Sequence, residues 1–434
     1  MIKISKGLDL PISGIPDPVI TDTPKVTSVS LLGNDFIGMK PTMLVRLGDS
    51  VKRGTKIFED KKNPGVFFTS PAGGIVKEIS RGDKRKFLSI DIEISDNEEY
   101  VHFDTSNVKS LLVESGLWNA FRSRPFNRTP QVEANPDALF INACDTSPLA
   151  IDPHHIIQDD LKYFNLALKV LSESFSCPVH CCYQNPDFDT SIDNIHYHQF
   201  SGPHPAGLSS THINRIYPVN LNRVAWTIGY QDLISIGYLL DHNSLRTHKT
   251  IALGGPSVFN PSLIKARISG NIDEITAGKI ESGSRIISGS VLYGHASEGV
   301  MNYLGFYDSL ISAIPDEANN IFLNWLMPGS NLHSKLNVFI SSFLKPSKFI
   351  FNTSVNGGDR AIVPVGSYDE VLPMDILVPQ LLKALVVGDR EQAVDLGMLE
   401  LAPEDLAICS YICPSKYDYC SILANNLNEL YLEQ

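Results

Sequence analysis

LVRLGDSVKRGTKIF at Leu44–Phe58 and SPAGGIV at Ser70–Val76 are two versions of one local design, a glycine-bearing turn that feeds a short strand with alternating apolar residues. Gly48 and Gly54 supply the backbone freedom that such tight turns need. In the second half, Ser70-Pro71-Ala72-Gly73-Gly74 forms the turn and Ile75-Val76 begins the strand. Two hairpins of this kind predict a flattened, all-β barrel at the start of the chain.

The paired halves resemble the hammerhead of biotinyl and lipoyl carrier domains. That resemblance implies a modified lysine at the tip between the halves. Counting back from Pro71 gives Asn63 instead, with Lys61 and Lys62 before it and Pro64-Gly65 after it. The two lysines read as solvated loop charges, and no covalently bound cofactor is expected. A tip without its lysine reads as a point of contact.

Outward from this segment, a chain of 434 residues calls for several domains. Boundaries are expected near residues 100, 250 and 330. Acidic residues outnumber basic ones 48 to 36, for a formal charge of −12, which disfavours a general grip on nucleic-acid phosphates or on anionic lipid. No nucleic acid is expected among the partners. The start, MIKISKGLDL, has no signal-peptide pattern, and no apolar run is long enough to span a bilayer. Seven cysteines without even spacing suggest reduced thiols.

Past residue 100 the pattern turns to α/β. VKSLLVESGLWNAF from Val108 to Phe121 has helical spacing, and Ala138–Asn142 reads as a buried strand followed by a helix-length apolar pattern. Pro178–Tyr183 and Arg223–Ile228 read as further strands, the latter leading into a helix over Tyr230–Leu240. Strand, loop and helix in alternation predict a parallel sheet. From Lys249 the texture becomes short strands and turns, suggesting a small β-grasp-like domain. Helical patterns then return at Met374–Val387, Glu391–Leu396 and Ser421–Leu432.

Several phrases carry a fuller resemblance: FSGPHPAGLSSTHINRIYPV at Phe200–Val219, then VAWTIGYQDLISIGYLL and ALGGP, with GLDLPISGIPDPVI near the start, RPFNRTP in the connector and CPSKYDY near the end. Along essentially its whole length the chain resembles the A-subunit family of the sodium-translocating NADH:quinone reductases (Na+-NQR). The resemblance implies a multidomain α/β and α+β protein. Its parts would be a biotinyl/lipoyl-like hammerhead (1–100), a Rossmann-like α/β domain (101–250), a β-grasp, SLBB-like domain (251–330) and a helical C-terminal domain with a relic iron–sulfur motif (331–434). It further implies a peripheral protein on the cytoplasmic face of a bacterial inner membrane, assembled with five other subunits, membrane subunits among them. That complex would pass electrons from NADH to ubiquinone while exporting sodium ions. A kinship with the flavin-bearing subunit of complex I and with the analogous subunit of the Rnf complex is implied as well.

Those kin hold cofactors, so each inherited site is tested on the residues. The stretch matching their glycine-rich phosphate loop is Leu117–Phe126, with no glycine after Gly116, so no phosphate cradle is expected there. Arg122 and Arg124 read as ordinary contacts. In the tail, Cys409 and Cys413 keep the end of a C-x2-C-x2-C-x3-C-P cluster motif. The positions of the other two ligands are Leu406 and Pro403. Cys409 and Cys413 are therefore read as a relic that binds no iron, with Cys420 unsuited by spacing. Cys181 and Cys182 are expected on opposite faces of a strand. His154, His155, His196, His198 and His204 read as hydrogen-bonding residues, and no metal site or catalytic residue is assigned.

What remains is a part in quinone reduction and in assembly. The candidate for touching a quinone ring is the loop Leu31–Met39, through Leu32, Gly33, Phe36, Gly38 and Met39, because a headgroup needs an apolar slot with one or two polar donors. Two alternatives are carried alongside: a cofactor-bearing NADH-oxidising subunit of the Rnf type, and a biotin or lipoyl carrier.

Overall fold

The computed structural model describes residues 1–104, 106–185, 188–317, 328–336, 338–344, 346–363 and 366–434. Near the N-terminus two small antiparallel sheets pack together. One runs in the order Ser28–Leu32, Phe87–Ile94, Gly74–Arg81, Ser50–Val51, and the other Pro41–Met43, Lys56–Asp60, Phe67–Thr69. Their facing residues interdigitate, with Phe58 stacked on Phe68 at 4.5 Å and 5.2 Å from Phe87. The turn glycines are needed as expected: Gly54 sits at φ 91°, and a Cβ on Gly74 would lie 1.9 Å from the Glu93 carbonyl oxygen.

Beyond the barrel, which its two small sheets form as one unit, the second sheet has the order Ile2–Lys3, Ile195–Ser201, Val179–Tyr183, Ala138–Ala143, Ala225–Gly229, Arg122–Arg124. All neighbours are parallel except the last pair. The helices Leu161–Ser174 and Tyr230–His242 cover one face. On the other face Phe140, Cys182 and Phe200 pack with Ile213 of the helix Ser209–Ile216. A sheet buried on both sides explains why its strands read as unbroken apolar runs. Cys181 and Cys182 fall into different core clusters, on opposite faces as alternation demands.

Two elements differ from expectation. The helix begun at Val108 stops at Glu114, and Leu117–Ala120 form a separate 3-10 turn. Gly116 between them adopts φ 78°, where a Cβ would come within 2.7 Å of Thr69 Oγ1. The first residues also leave their own region: Ile2–Lys3 extend the parallel sheet, and Asp17–Asp22 pair with Ser262–Arg267 in a third sheet.

That third sheet is mixed, in the order His295–Ala296, Ser284–Ser288, Leu310–Pro315, His248–Gly254, Ser262–Arg267, Asp17–Asp22, with the short helix Ile272–Thr276 packed on it. The tail helices Ser367–Val371, Val378–Val387, Arg390–Asp395, Ala407–Ile412 and Tyr419–Glu433 enclose a core of their own. Polar clamps hold this helical part to the α/β sheet. Arg124 donates to Ser210 Oγ (2.6 Å) and the Glu400 carbonyl (3.2 Å), and Arg215 donates to the Pro373 carbonyl (2.7 Å).

Candidate functional site

The strand Ser28–Leu32 ends in the 3-10 turn Gly33–Asp35, which swings Phe36 inward. Its ring lies 4.6 Å from Phe68, 5.4 Å from Phe306 and 6.0 Å from Tyr307, between the N-terminal barrel and the third sheet. Against these rings opens a narrow cavity of ≈ 60 Å³ within ≈ 700 Å³ of unfilled, partly open space. Leu31, Phe36 and Phe68 form one wall, Ser115, Gly116, Leu117 and Asn119 another, and Gln231, Asp232, Arg246, Lys249 and Ser269 are among the residues that complete the lining. The ≈ 60 Å³ is less than half of the about 150 Å³ that an apolar cavity holding benzene provides. A ring therefore enters only as a side chain such as Phe36 gives way.

Of the five residues proposed from the sequence, Phe36 alone lines this cavity. Leu32 is buried in its strand opposite Ser89. Gly33 lies against the Phe87 backbone, and Gly38 sits at φ 75° beneath the Arg128 guanidinium. Met39 is half-buried against the main core.

Four buried side-chain atoms around the cavity have no hydrogen-bond partner among the described residues: Asn119 Oδ1, Gln231 Oε1, Arg246 Nη1 and Ser269 Oγ. Three of these residues are held through another polar atom. Asn119 Nδ2 donates to the Phe67 carbonyl (2.8 Å), Gln231 Nε2 donates to the Thr250 carbonyl (2.5 Å), and Arg246 pairs with Asp160 through Nη2. Buried polar atoms are nearly always paired. Four unpaired ones on a single slot form a ready set of two donors and two acceptors.

Beside the slot sits a knot of charge. Lys249 donates to the carbonyls of Phe306 (2.9 Å) and Gly305 (3.3 Å). Burial pushes the Asp232 carboxyl up to about 6, against the pull of Lys249 and Arg122. Burial raises Asp35 to about 6 as well, aided by Asp308 and opposed by the Phe306 N–H that it accepts at 2.8 Å. The Arg122 guanidinium lies 3.7 Å over the Tyr307 ring, whose hydroxyl donates to the Asn119 carbonyl (2.6 Å). Sequence reasoning missed Gln231, Asp232, Arg246, Lys249 and Ser269. They come together only in three dimensions.

The other inherited features point elsewhere. The barrel tip is docked, with Asn63 Nδ2 donating to the carbonyls of Thr129 (3.2 Å) and Pro130 (3.1 Å), while Lys61 and Lys62 are exposed. Arg122 and Arg124 diverge, one toward the cavity and the other toward the C-terminal helices. Cys409 and Cys413 are buried in the helical core, Cys413 Sγ 3.5 Å from the Tyr419 hydroxyl. His180 and His198 share a hydrogen bond of 3.1 Å, and His204 meets Thr146 at 3.3 Å. Among the described residues no three His, Cys, Asp or Glu side chains are arranged to hold a metal ion.

Three family profiles match the chain: the NqrA N-terminal barrel-sandwich hybrid domain over residues 2–95, the NqrA second alpha/beta domain over 103–245 and the NQRA C-terminal domain over 250–299. The A subunit of the Na(+)-translocating NADH-quinone reductase of Neisseria meningitidis serogroup B is 45% identical, covering 99% of each chain. Its namesake from Yersinia pestis is 43% identical over the same share. A solved NAD+-reducing [NiFe]-hydrogenase aligns over 49% of each chain at 11% identity, with a TM-score of 0.33. That likeness is too distant to bear on fold or function.

Proposed function

The chain belongs to the NqrA family, the A subunits of the Na(+)-translocating NADH-quinone reductases, and on that premise we propose that it takes part in quinone reduction through the cavity beside Phe36. It serves a complex that couples NADH:quinone oxidoreduction to sodium transport. Among the described residues no helix is long and apolar enough to cross a membrane. The findings lend no support to an Rnf-type NADH-oxidising protein or a biotin or lipoyl carrier. The docking of Asn63 adds a physical objection to a carrier, because a swinging arm needs a free tip.

In this reading the protein holds no redox group of its own and works from the cytoplasmic face of the inner membrane beside five partner subunits. The barrel-sandwich part is a biotinyl/lipoyl-like hammerhead turned to scaffolding, and the α/β part is a Rossmann-like domain without its phosphate loop. The domains in this reading lie at 1–100, 101–250, 251–330 and 331–434; the tail helices have a core of their own, whereas one continuous core runs through the first three regions. A kinship with the flavoprotein of complex I and its counterpart in the Rnf complex explains the halved cysteine motif.

The observation that carries the quinone proposal is the set of unpaired polar atoms on an aromatic-walled slot. A ubiquinone headgroup is a planar ring with carbonyl acceptors, and Arg246 Nη1 and Ser269 Oγ are donors without acceptors among the described residues. Reduction needs two electrons, supplied from elsewhere in the complex, and two protons. Asp232, raised to about 6 on the same wall, is a carboxylate that takes up a proton in a minority of molecules near neutral pH and can relay each proton in turn from solvent.

The test is binding of a soluble ubiquinone analogue to the full chain by calorimetry, with Ser269→Ala and Phe36→Ala. Ser269→Ala removes a donor with no partner among the described residues, so it is expected to leave folding intact and weaken binding by roughly tenfold, in line with about 1.5 kcal/mol for one hydrogen bond. Unchanged affinity in both variants, or no saturable binding at all, refutes the proposal.

A further inference from the structure

A second cleft opens where the helical tail meets the residues that precede it, with ≈ 530 Å³ inside ≈ 1780 Å³ of partly open space. The ≈ 530 Å³ lies within the range of about 300–1,000 Å³ found for small-molecule sites. Its apolar side chains are mostly aliphatic, Leu10, Ile12, Leu292, Ile314, Leu332 and Ile412 among them. The aromatic side chains there are engaged with one another. His333 lies 5.4 Å from Phe349 and 5.8 Å from Phe351, its Nδ1 is 2.7 Å from the Tyr411 hydroxyl, and the two phenyl rings meet edge to face.

Two lysines line this cleft, and among the described residues no aspartate or glutamate does. The sequence holds no acid at all between Glu317 and Asp359, the stretch that builds one side of it. Lys335 is paired with Glu370 at 3.1 Å. Lys416 is different: its Nζ donates to the Tyr411 carbonyl (2.8 Å) and meets no carboxylate among the described residues. Burial pushes its ammonium down from the ordinary value, opposed only by the Cys413 thiol. The side chain is also held in place. Its backbone adopts φ 52°, a left-handed conformation that few lysines take, and a Cβ on Gly357 would lie 2.5 Å from Lys416 Cγ. Gly358 N–H donates to the Pro414 carbonyl (3.3 Å), which keeps that turn against the lysine. A half-buried cation without a counter-charge is costly, and a strained backbone that persists beside an open cleft points to a bound group.

We propose that this cleft binds the anion of a long-chain fatty acid, its carboxylate on Lys416 and its alkyl chain along the aliphatic wall. One uncompensated cation matches one carboxylate. A neutral lipid would leave Lys416 without a counter-charge, and a nucleotide would bring several phosphate charges to a single free lysine. The aliphatic lining favours an alkyl chain over a flat ring, because the aromatic side chains are already packed on one another. The cleft shares no lining residue with the cavity beside Phe36, so this inference survives the failure of the quinone proposal.

The experiment is titration of the full chain with cis-parinarate, a fluorescent fatty-acid anion, below its micelle concentration, followed by displacement with laurate and with dodecanol. Saturable binding is expected, and dodecanol should displace the probe roughly tenfold or more less effectively than laurate of the same chain length. Lys416→Met should weaken parinarate binding by a similar factor and make the two competitors equal, whereas Lys416→Arg keeps the preference for laurate. Phe36→Ala should change nothing. Thermal melting checks the fold of Lys416→Met, and the comparison of laurate with dodecanol on the parent chain needs no variant. No saturable binding, equal displacement by the two competitors, unchanged affinity in a folded Lys416→Met chain, or loss of parinarate binding in Phe36→Ala overturns the proposal.

Discussion

Asp232→Asn is the sharpest test of the charge knot beside the cavity. The carboxyl is raised from 3.8 to about 6 because burial disfavours its ionised form by more than Lys249 and Arg122 favour it. Above pH 6 the residue is ionised in both states, and the folded state bears the whole penalty. Below 3.8 it is protonated in both, and the penalty is gone. Its contribution to stability thus improves as pH falls from 6 to 3.8, at up to 1.36 kcal/mol for each pH unit. Asparagine imitates the protonated form and removes the penalty at every pH. Asp232→Asn should therefore stabilise the chain by about 3 kcal/mol at pH 8 and by only about 1 kcal/mol at pH 4.5. Asp35 titrates in the same window in both proteins and cancels from the difference. The assay is denaturant unfolding at the two pH values, followed by the fluorescence of Trp118 and Trp226, both buried in the α/β part. An Asp232→Asn variant less stable than the parent at pH 8 refutes the reasoning. It would show that the attraction of Lys249 and Arg122 outweighs desolvation, so that the Asp232 carboxyl is not raised.

Two further substitutions probe packing and docking. Gly237→Ala places a methyl group 1.9 Å from the Tyr163 carbonyl oxygen, where the helix Tyr230–His242 meets Leu161–Ser174. A loss of about 1–3 kcal/mol is expected from the forced separation, read as a lower Tm, and an unchanged Tm would show that these helices do not pack so closely. Asn63→Ala removes both hydrogen bonds from the barrel tip to Thr129 and Pro130. It should cost about 1–3 kcal/mol and speed proteolysis near Lys61 and Lys62; resistance equal to the parent's would show a tip held by other contacts.

The α/β sheet was legible because each strand is buried on both faces. Ala138–Ala143, Val179–Tyr183 and Ala225–Gly229 therefore appear as apolar runs, and the helix Tyr230–His242 follows its strand directly. Barrel turns were legible through glycine, which has few other reasons to recur at Gly48, Gly54 and Gly74. What escaped was whatever depends on distant pairing. Ile2–Lys3 is too short for a period, and only its place beside Phe200–Ser201 makes it a strand. The break at Gly116 is fixed by Thr69 in another sheet.

The cavity shows most clearly why a site can hide from sequence. Phe36 was within reach, since an aromatic residue after a glycine-bearing turn has few places to go but a core. Asn119, Gln231, Arg246 and Ser269 were not, because each is an ordinary polar residue in its own segment. They matter only because the barrel, the α/β sheet and the third sheet bring them to one slot. A buried atom left wholly without a partner costs about 1–3 kcal/mol, so four in one place would amount to about 4–12 kcal/mol, as much as a large core truncation or more. Substituting apolar residues would remove that loss. Keeping four polar atoms at one point, while Asn119 Nδ2, Gln231 Nε2 and Lys249 Nζ nearby all have acceptors, is the pattern expected where stability is given up to hold a polar planar ligand.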